Sequence, residues 1–348
     1  MTKKVEHLYI HVPFCKSICS YCDFVRSIPK CAGEINRYLI NIVKDIKHKC
    51  KSLKFKTIYV GGGTPNSLTN EQLKVLLSEL SKHLKKTYEF TIECNPEFIN
   101  QSQIDIFKKY KVNRISLGVQ TRNNKILKEF NRKHTNAQVD KAIKLLQKNK
   151  LNNISVDFIY GYSKMTKQDI DKDIKFVLDN HIPHASFYSL ELKSNSILTK
   201  SKYQLDDELI DKQLAYIIKK FKDINYARYE VSNWCLNKKY QSQHNLAYWN
   251  TKPWKAFGNG AYGFENMIYY HIDKDKKISH IYSCKEYYQH ILIMGLRLVN
   301  GFDLKNQDHK KAWDYFKNKI DPKLYFVKNN NVIVKDINKL DDILINII

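Results

Sequence analysis

Six short β-type runs, at residues 8–12, 55–60, 88–93, 114–120, 154–160 and 186–190, alternate with amphipathic helical patterns. The helical patterns cover 35–51, 69–84, 101–109, 124–130 with 137–148, and 168–178. Thr69-Asn-Glu-Gln72 has the capping-box order that opens a helix. Strands separated by whole helices predict parallel βα units. The expected fold is therefore α/β: a partial (β/α)6 TIM-like barrel with a smaller mixed C-terminal region.

After residue 190 the regularity fades. Residues 207–221 and 287–298 keep a helical spacing, while 226–284 are rich in Tyr, Trp and Asn with weak periodicity. Residues 324–336, centred on Asn329-Asn330-Asn331, predict a hairpin. A soft boundary near 195 divides a core (1–195) from a C-terminal region (196–348). With 348 residues and 43% hydrophobic content, the chain can bury a full core. No apolar run reaches the roughly 18 residues of a membrane span. The first fourteen residues carry Lys3 and Lys4, but their apolar segment is broken by His7 and His11. No small-residue cleavage site follows, so a cytoplasmic protein is expected.

The formal net charge is +24. Its lysines are dispersed, as at Lys44, Lys47, Lys49, Lys51, Lys54 and Lys56, with no basic arm and no arginine stripe. Nucleic acid is thus not the expected partner. A basic surface suits peripheral contact with an anionic membrane, or a ligand bearing carboxylates.

In a βα barrel, ligands gather at the C-terminal ends of the strands. The unusual residues lie there: cysteines after the first strand, Gly61-Gly62-Gly63-Thr64-Pro65 after the second, Glu93 after the third, Gln120 after the fourth, Asp157 within the fifth. Cys15, Cys19 and Cys22 stand in the spacing C-x-x-x-C-x-x-C. Three thiolates are one short of a closed structural site. On a four-iron cluster they leave one iron open to a small molecule. Zinc is the alternative. Cys31, Cys50, Cys94, Cys235 and Cys284 are scattered and read as reduced packing thiols.

The cysteine loop, the glycine motif, Glu93-Cys-Asn-Pro96 and Gly118-Val-Gln120 together resemble the radical S-adenosylmethionine (SAM) enzymes. More narrowly, they resemble the branch of oxygen-independent coproporphyrinogen III oxidases and their HemW relatives. The resemblance implies a 4Fe-4S cluster on Cys15, Cys19 and Cys22, with SAM chelating the fourth iron and cleaved reductively to a 5′-deoxyadenosyl radical. It also implies SAM contacts at Tyr9, Tyr21, Gly62, Gly63, Thr64, Glu93, Gln120, Arg132 and Asp157. Among these, Glu93 and Asp157 suit ammonium and ribose groups, and Arg132 the carboxylate.

Within the branch, three features are similar to HemW rather than the oxidases. Phe24 stands where the oxidases carry a further cysteine, only fourteen residues precede Cys15, and His244-Asn245-Leu-Ala-Tyr248-Trp249 matches an H-N-x-x-Y-W signature. HemW-like proteins are haem chaperones, so the resemblance implies haem as a bound ligand and a haem-accepting protein as partner. His244 is then a candidate haem contact; a buried histidine bonded to Asn245 or a backbone carbonyl is the other reading. The family's G-x-G-A-H is Gly258-Asn-Gly260-Ala261-Tyr262 here. The competing functions are porphyrinogen oxidative decarboxylation and, distantly, a basic nucleic-acid-binding protein with a structural metal.

Overall fold

The computed structural model describes residues 4–348, so Lys3 lies outside the described residues. The chain opens with β1 (His7–Val12), α1 (Ala32–Lys49), β2 (Phe55–Gly62), α2 (Asn70–Ser81), β3 (Leu84–Cys94) and α3 (Gln101–Lys109). There follow β4 (Arg114–Gln120), α4 (Asn124–Glu129), α5 (Asn136–Lys148), β5 (Ile154–Tyr160), α6 (Lys167–Asp179) and β6 (His184–Ser189). Strands β1 to β6 pair in sequence order, every pair parallel. This is the six-unit βα array expected. The Thr69 capping box closes reciprocally with Gln72. The helix it opens ends at Ser81, not at 84, because β3 already begins at Leu84.

Side chains alternate over the middle of these strands, with register shifts at Phe55/Thr57 and Gly118/Gln120. Leu8, Ile10 and Val12, Ile58 and Val60, Phe90 and Ile92, Ile115 and Leu117, Val156 and Phe158, Ala185 and Phe187 point outward into one apolar core with the helices. Their neighbours on the inner face are polar and mostly buried: His7, Thr57, Glu89, Thr91, Arg114, Ser116, Ser155, His184 and Ser186. A parallel sheet apolar on both faces would read as continuous hydrophobic runs. The alternation here gives the sheet a polar inner face, as in a partial barrel with a polar lumen.

The remaining elements are α7 (Ile197–Lys200), α8 (Asp207–Asp223), β7 (Ala227–Arg228), β8 (Asn233–Cys235), α9 (Gln243–Trp249), β9 (Trp254–Phe257), β10 (Tyr262–Glu265), β11 (Ile268–Asp273) and β12 (Lys276–Ile281). They extend the same sheet at both edges. β8 and β7 follow β6, while β9 runs parallel beside β1 and continues into β10, β11 and β12. Strands from either side of residue 195 thus share one 12-stranded sheet. Last come α10 (Cys284–Gly295), β13 (Phe302–Asp303), α11 (Gln307–Phe316), β14 (Tyr325–Lys328), β15 (Asn331–Val334) and α12 (Leu340–Leu344). Trp254, Phe264, Ile291, Trp313, Phe316 and Leu344 belong to a second apolar core there. The expected hairpin is β14–β15, turned by Asn329 and Asn330 at φ 51° and 64°. Among the described residues, no helix is long and apolar enough to cross a membrane.

Residues 229–250 close the lower end of the lumen, where the strands begin. Glu89 accepts the backbone N–H groups of Gln243 and His244, both at 3.0 Å. Arg114 donates to the Tyr240 carbonyl at 2.9 Å, and His184 meets the Tyr229 hydroxyl at 2.9 Å. These buried groups of the floor are partnered, whereas Asn233 Oδ1 and Trp249 Nε1 in the same segment are buried without a hydrogen-bond partner.

Candidate functional site

The upper end of the lumen carries the cysteine loop, and backbone bonds hold that loop at several points. Cys15 N–H donates to Ser27 O at 3.0 Å, Ser20 N–H to Phe130 O at 3.1 Å, and Leu198 N–H to Ser20 O at 2.9 Å. Asn131 donates from its side chain to Ile18 O at 2.7 Å. His11, on the inner face of β1, sets its Nε2 2.8 Å from Val25 O and its Nδ1 3.0 Å from the Tyr9 hydroxyl. It is a positioning residue that sequence reading missed. The usable signal was its spacing, two residues beyond Tyr9 on one strand face.

Each glycine of the β2 end is required by a close approach. A Cβ at Gly61 would lie 2.8 Å from the Glu93 carboxyl, one at Gly62 2.7 Å from the His11 ring, and one at Gly63 2.8 Å from Phe14 O and 2.9 Å from Cys15 Sγ. Gly62 also has φ of +115°. Gly63 is thus pressed against the cysteine loop, and Thr64 donates from Oγ1 to Cys15 Sγ at 3.5 Å.

Arg132 reaches the same place from the turn after α4. Its guanidinium donates to Asn95 Oδ1 and Gly118 O, both at 2.8 Å, and faces Cys19 Sγ at 3.6 Å. Its Nε is buried without a partner. Such an orphaned donor beside three cysteines fits a site built around an anionic group. Asn95, fixed through its backbone by Asn66, was also missed. Tyr21 packs edge-on against Phe130 at 5.1 Å, and Gln120 holds a left-handed φ of 69° at the end of β4.

Burial pushes the Cys15 thiol up and the Cys22 thiol up to about 11, with Arg26 offsetting part of each shift. These sulfurs are protonated unless a cationic centre displaces the proton. Among the described residues, no three His, Cys, Asp or Glu side chains are grouped to hold a single metal ion. A cubane takes each thiolate on a different iron.

Glu93 accepts from the Tyr59 hydroxyl at 2.8 Å and from Gly62 N–H at 3.0 Å. Asp157 accepts from Ser116 at 2.8 Å. Burial raises both carboxyls, and Asp157 raises Glu93 further, to about 7. Between pH 4.5 and 7 the folded chain then binds more protons at Glu93 than the unfolded chain, so stability falls as pH rises through that window. Glu93→Gln should flatten this decline in cluster-free protein by roughly 1–3 kcal/mol. Melting temperatures across the window provide the check, and equal slopes for parent and variant would refute the assignment.

His244 lies elsewhere. It is buried in the lumen floor, with Nδ1 2.7 Å from Thr57 Oγ1 and Nε2 2.6 Å from the Tyr248 hydroxyl. Thr57 also meets His7 Nδ1 at 2.9 Å, so its single hydroxyl proton serves one imidazole while the other donates to it. Burial holds the His244 imidazole well below its usual pKa, and both nitrogens are engaged. Four residues of β2, about 13 Å at the usual rise, separate Thr57 from Gly61 at the rim. Tyr9, Tyr59 and His244 form a ring column between them, with Tyr59 and His244 centroids 5.1 Å apart.

A family model described as the Radical SAM superfamily matches residues 9–177. Heme chaperone HemW of Lactococcus lactis is 32% identical over 330 residues, covering 89% of this chain and 86% of that protein. The chain belongs to the HemW family. Heme chaperone HemW of Bacillus subtilis is likewise 32% identical, over 75% of this chain and 71% of its own length. The fold matches the structure of coproporphyrinogen III oxidase (HemN) from Escherichia coli with a TM-score of 0.81. That alignment covers 99% of this chain and 90% of HemN at 16% identity, and shows a shared fold. As a HemW-family member within the radical SAM superfamily, the chain is of a kind that carries a 4Fe-4S cluster and SAM.

Proposed function

We propose that this chain is a cytoplasmic haem chaperone that binds haem and passes it to an acceptor protein, using a 4Fe-4S cluster with SAM. The likeness to Heme chaperone HemW over 89% of the chain carries this reading. Cys15, Cys19 and Cys22 would hold the cluster. Tyr9, Tyr21, Gly62, Gly63, Thr64, Glu93, Gln120, Arg132 and Asp157 would contact SAM. Cluster and SAM together supply one-electron chemistry at the barrel mouth when bound.

The chain's own residues orient and enclose. Gly63 brings backbone close to the cysteine loop, Gly61 and Gly62 leave room for Glu93 and His11, and Arg132 supplies a fixed positive charge beside Cys19. Glu93, held by Tyr59, offers a carboxyl that gains or loses a proton near neutrality. Residues 1–195 would form the cofactor-binding core, and 196–348 would complete the lumen floor and the wall beside β1. The dispersed lysines suit transient contact with an anionic membrane.

Anaerobic titration of the cluster-loaded chain with haemin tests the reading. The expected result is a saturable Soret change at micromolar haemin; no change would overturn it. A parallel incubation with coproporphyrinogen, SAM and a reductant should yield no protoporphyrinogen. Phe24, 62% exposed, stands where the oxidases have their extra cysteine.

A further inference from the structure

His271 is one of the histidines whose role the fold leaves unexplained; buried His290, whose Nε2 is also unpartnered, lies lower on the same face under α10. The lumen histidines His7, His11, His184 and His244 all place ring nitrogens in hydrogen bonds. Among the described residues, His271 has a ring contact and no hydrogen-bond or ion-pair partner. It is half-buried on β11, directly opposite Tyr262 of β10 and Ile278 of β12. Tyr262 is 49% exposed and Ile278 47%. The Tyr262 ring lies 5.5 Å from the His271 ring at 31° and 5.8 Å from the Tyr269 ring at 29°.

These residues share the inner face of the sheet. In the register, Tyr9 of β1 pairs with Ala256 of β9, Trp254 with Phe264, Phe264 with Tyr269, and Tyr262 with His271. Lower on that face α10 covers the strands, with His290 against Phe264 at 4.9 Å and Tyr269 at 6.1 Å. Higher up, the Tyr262–His271–Ile278 row is open. The loop leading into it touches the cysteine loop, since a Cβ on Gly260 would lie 2.6 Å from Val25 Cβ. One step further along the face, exposed Lys276 stands opposite Asp273 in the register, without an ion pair to it.

We infer that this ledge seats haem, with His271 as an axial ligand to its iron; the inference rests on the haem-chaperone reading above. Three strands at about 4.8 Å spacing present a strip about 10 Å wide. It carries an imidazole without a hydrogen-bond partner for the iron, the edge of the Tyr262 ring and an isoleucine to flank the macrocycle, and an ammonium for a propionate. His244 has no free nitrogen as the floor is built, and so would support the lumen instead.

Haemin titration of the full, cluster-loaded chain and of His271→Ala decides the matter, read by the Soret band and the low-spin ferric EPR signal. The variant should bind at least tenfold more weakly and lose the imidazole-ligated signal, and added imidazole should restore that signal. Tyr262→Ala should weaken binding while keeping the signal. His271 makes no hydrogen bond or ion pair and packs only against the half-exposed Tyr262, so circular dichroism should match the parent and melting should shift little. If the parent binds haemin and His271→Ala keeps the same affinity and signal, the ledge is wrong while the chaperone reading stands. If the parent itself binds none, the chaperone reading falls first.

Discussion

Alanine at Cys15, Cys19 or Cys22 is expected to leave a folded chain that retains almost no iron after anaerobic reconstitution, whereas Cys94→Ala and Cys284→Ala keep it. The difference follows from placement. In the cysteine loop, Cys15 lies beside Thr64 and Cys19 beside Arg132, with Cys22 three residues further along the same loop. Cys94 is buried on the outer face of β3 among the helices, and Cys284 is exposed at the start of α10. Losing a direct ligand should cost more than the roughly 10–100-fold in affinity that follows loss of a supporting bond around a metal site. Iron and acid-labile sulfide per chain are the measurements. Equal loss at all five positions would show that the ligand set is misassigned.

Gly63→Ala is the second large effect. Its new methyl would meet Phe14 O at 2.8 Å and both the Pro13 carbonyl carbon and Cys15 Sγ at 2.9 Å. Two of these are backbone atoms, so no rotamer change relieves the contact. Gly63 N–H is meanwhile held to Val12 O at 2.8 Å, and Thr64 N–H to Phe14 O at 2.8 Å. Overpacking of this kind costs about 1–3 kcal/mol, and here it falls on Cys15, a proposed cluster ligand. We expect a lower denaturation midpoint together with at least a tenfold drop in SAM affinity. Gly33→Ala is the control. It sits in α1 with nothing nearer than Cys31 Sγ at 3.7 Å, so alanine there should stabilise by up to about 1 kcal/mol. Similar behaviour of the two variants would remove the case for close approach at Gly63.

The barrel was legible because its outer face repeats an apolar residue at every second position and each crossover helix carries its own amphipathic stripe. The rim residues were legible because glycines, cysteines and carboxylates are rare at strand ends without a reason. Residues 226–284 were not, since β7 to β12 span only two to six residues each. Their hairpins turn at Asn266-Met267 and Lys274-Asp275, left-handed pairs without the usual glycine. The pairing of β9 with β1 joins Trp254 to His7, a separation that no local pattern records. For His244, Tyr248 was visible four residues along one helix, but Thr57 was not. His11 and Asn95 went unnoticed because their work is done through backbone carbonyls and neighbouring side chains.

The late strands have a consequence for synthesis. When residue 190 has just been made, β1 and β6 are both bare edges, each offering unpaired backbone to any passing strand. The partner for β6 arrives with residues 233–235, and that for β1 only with 254–257. At roughly 5–20 residues per second, the nascent chain spends several seconds or more with two sticky margins before it can seal itself. A protein whose work is proposed to be escorting another molecule thus needs shelter during its own birth.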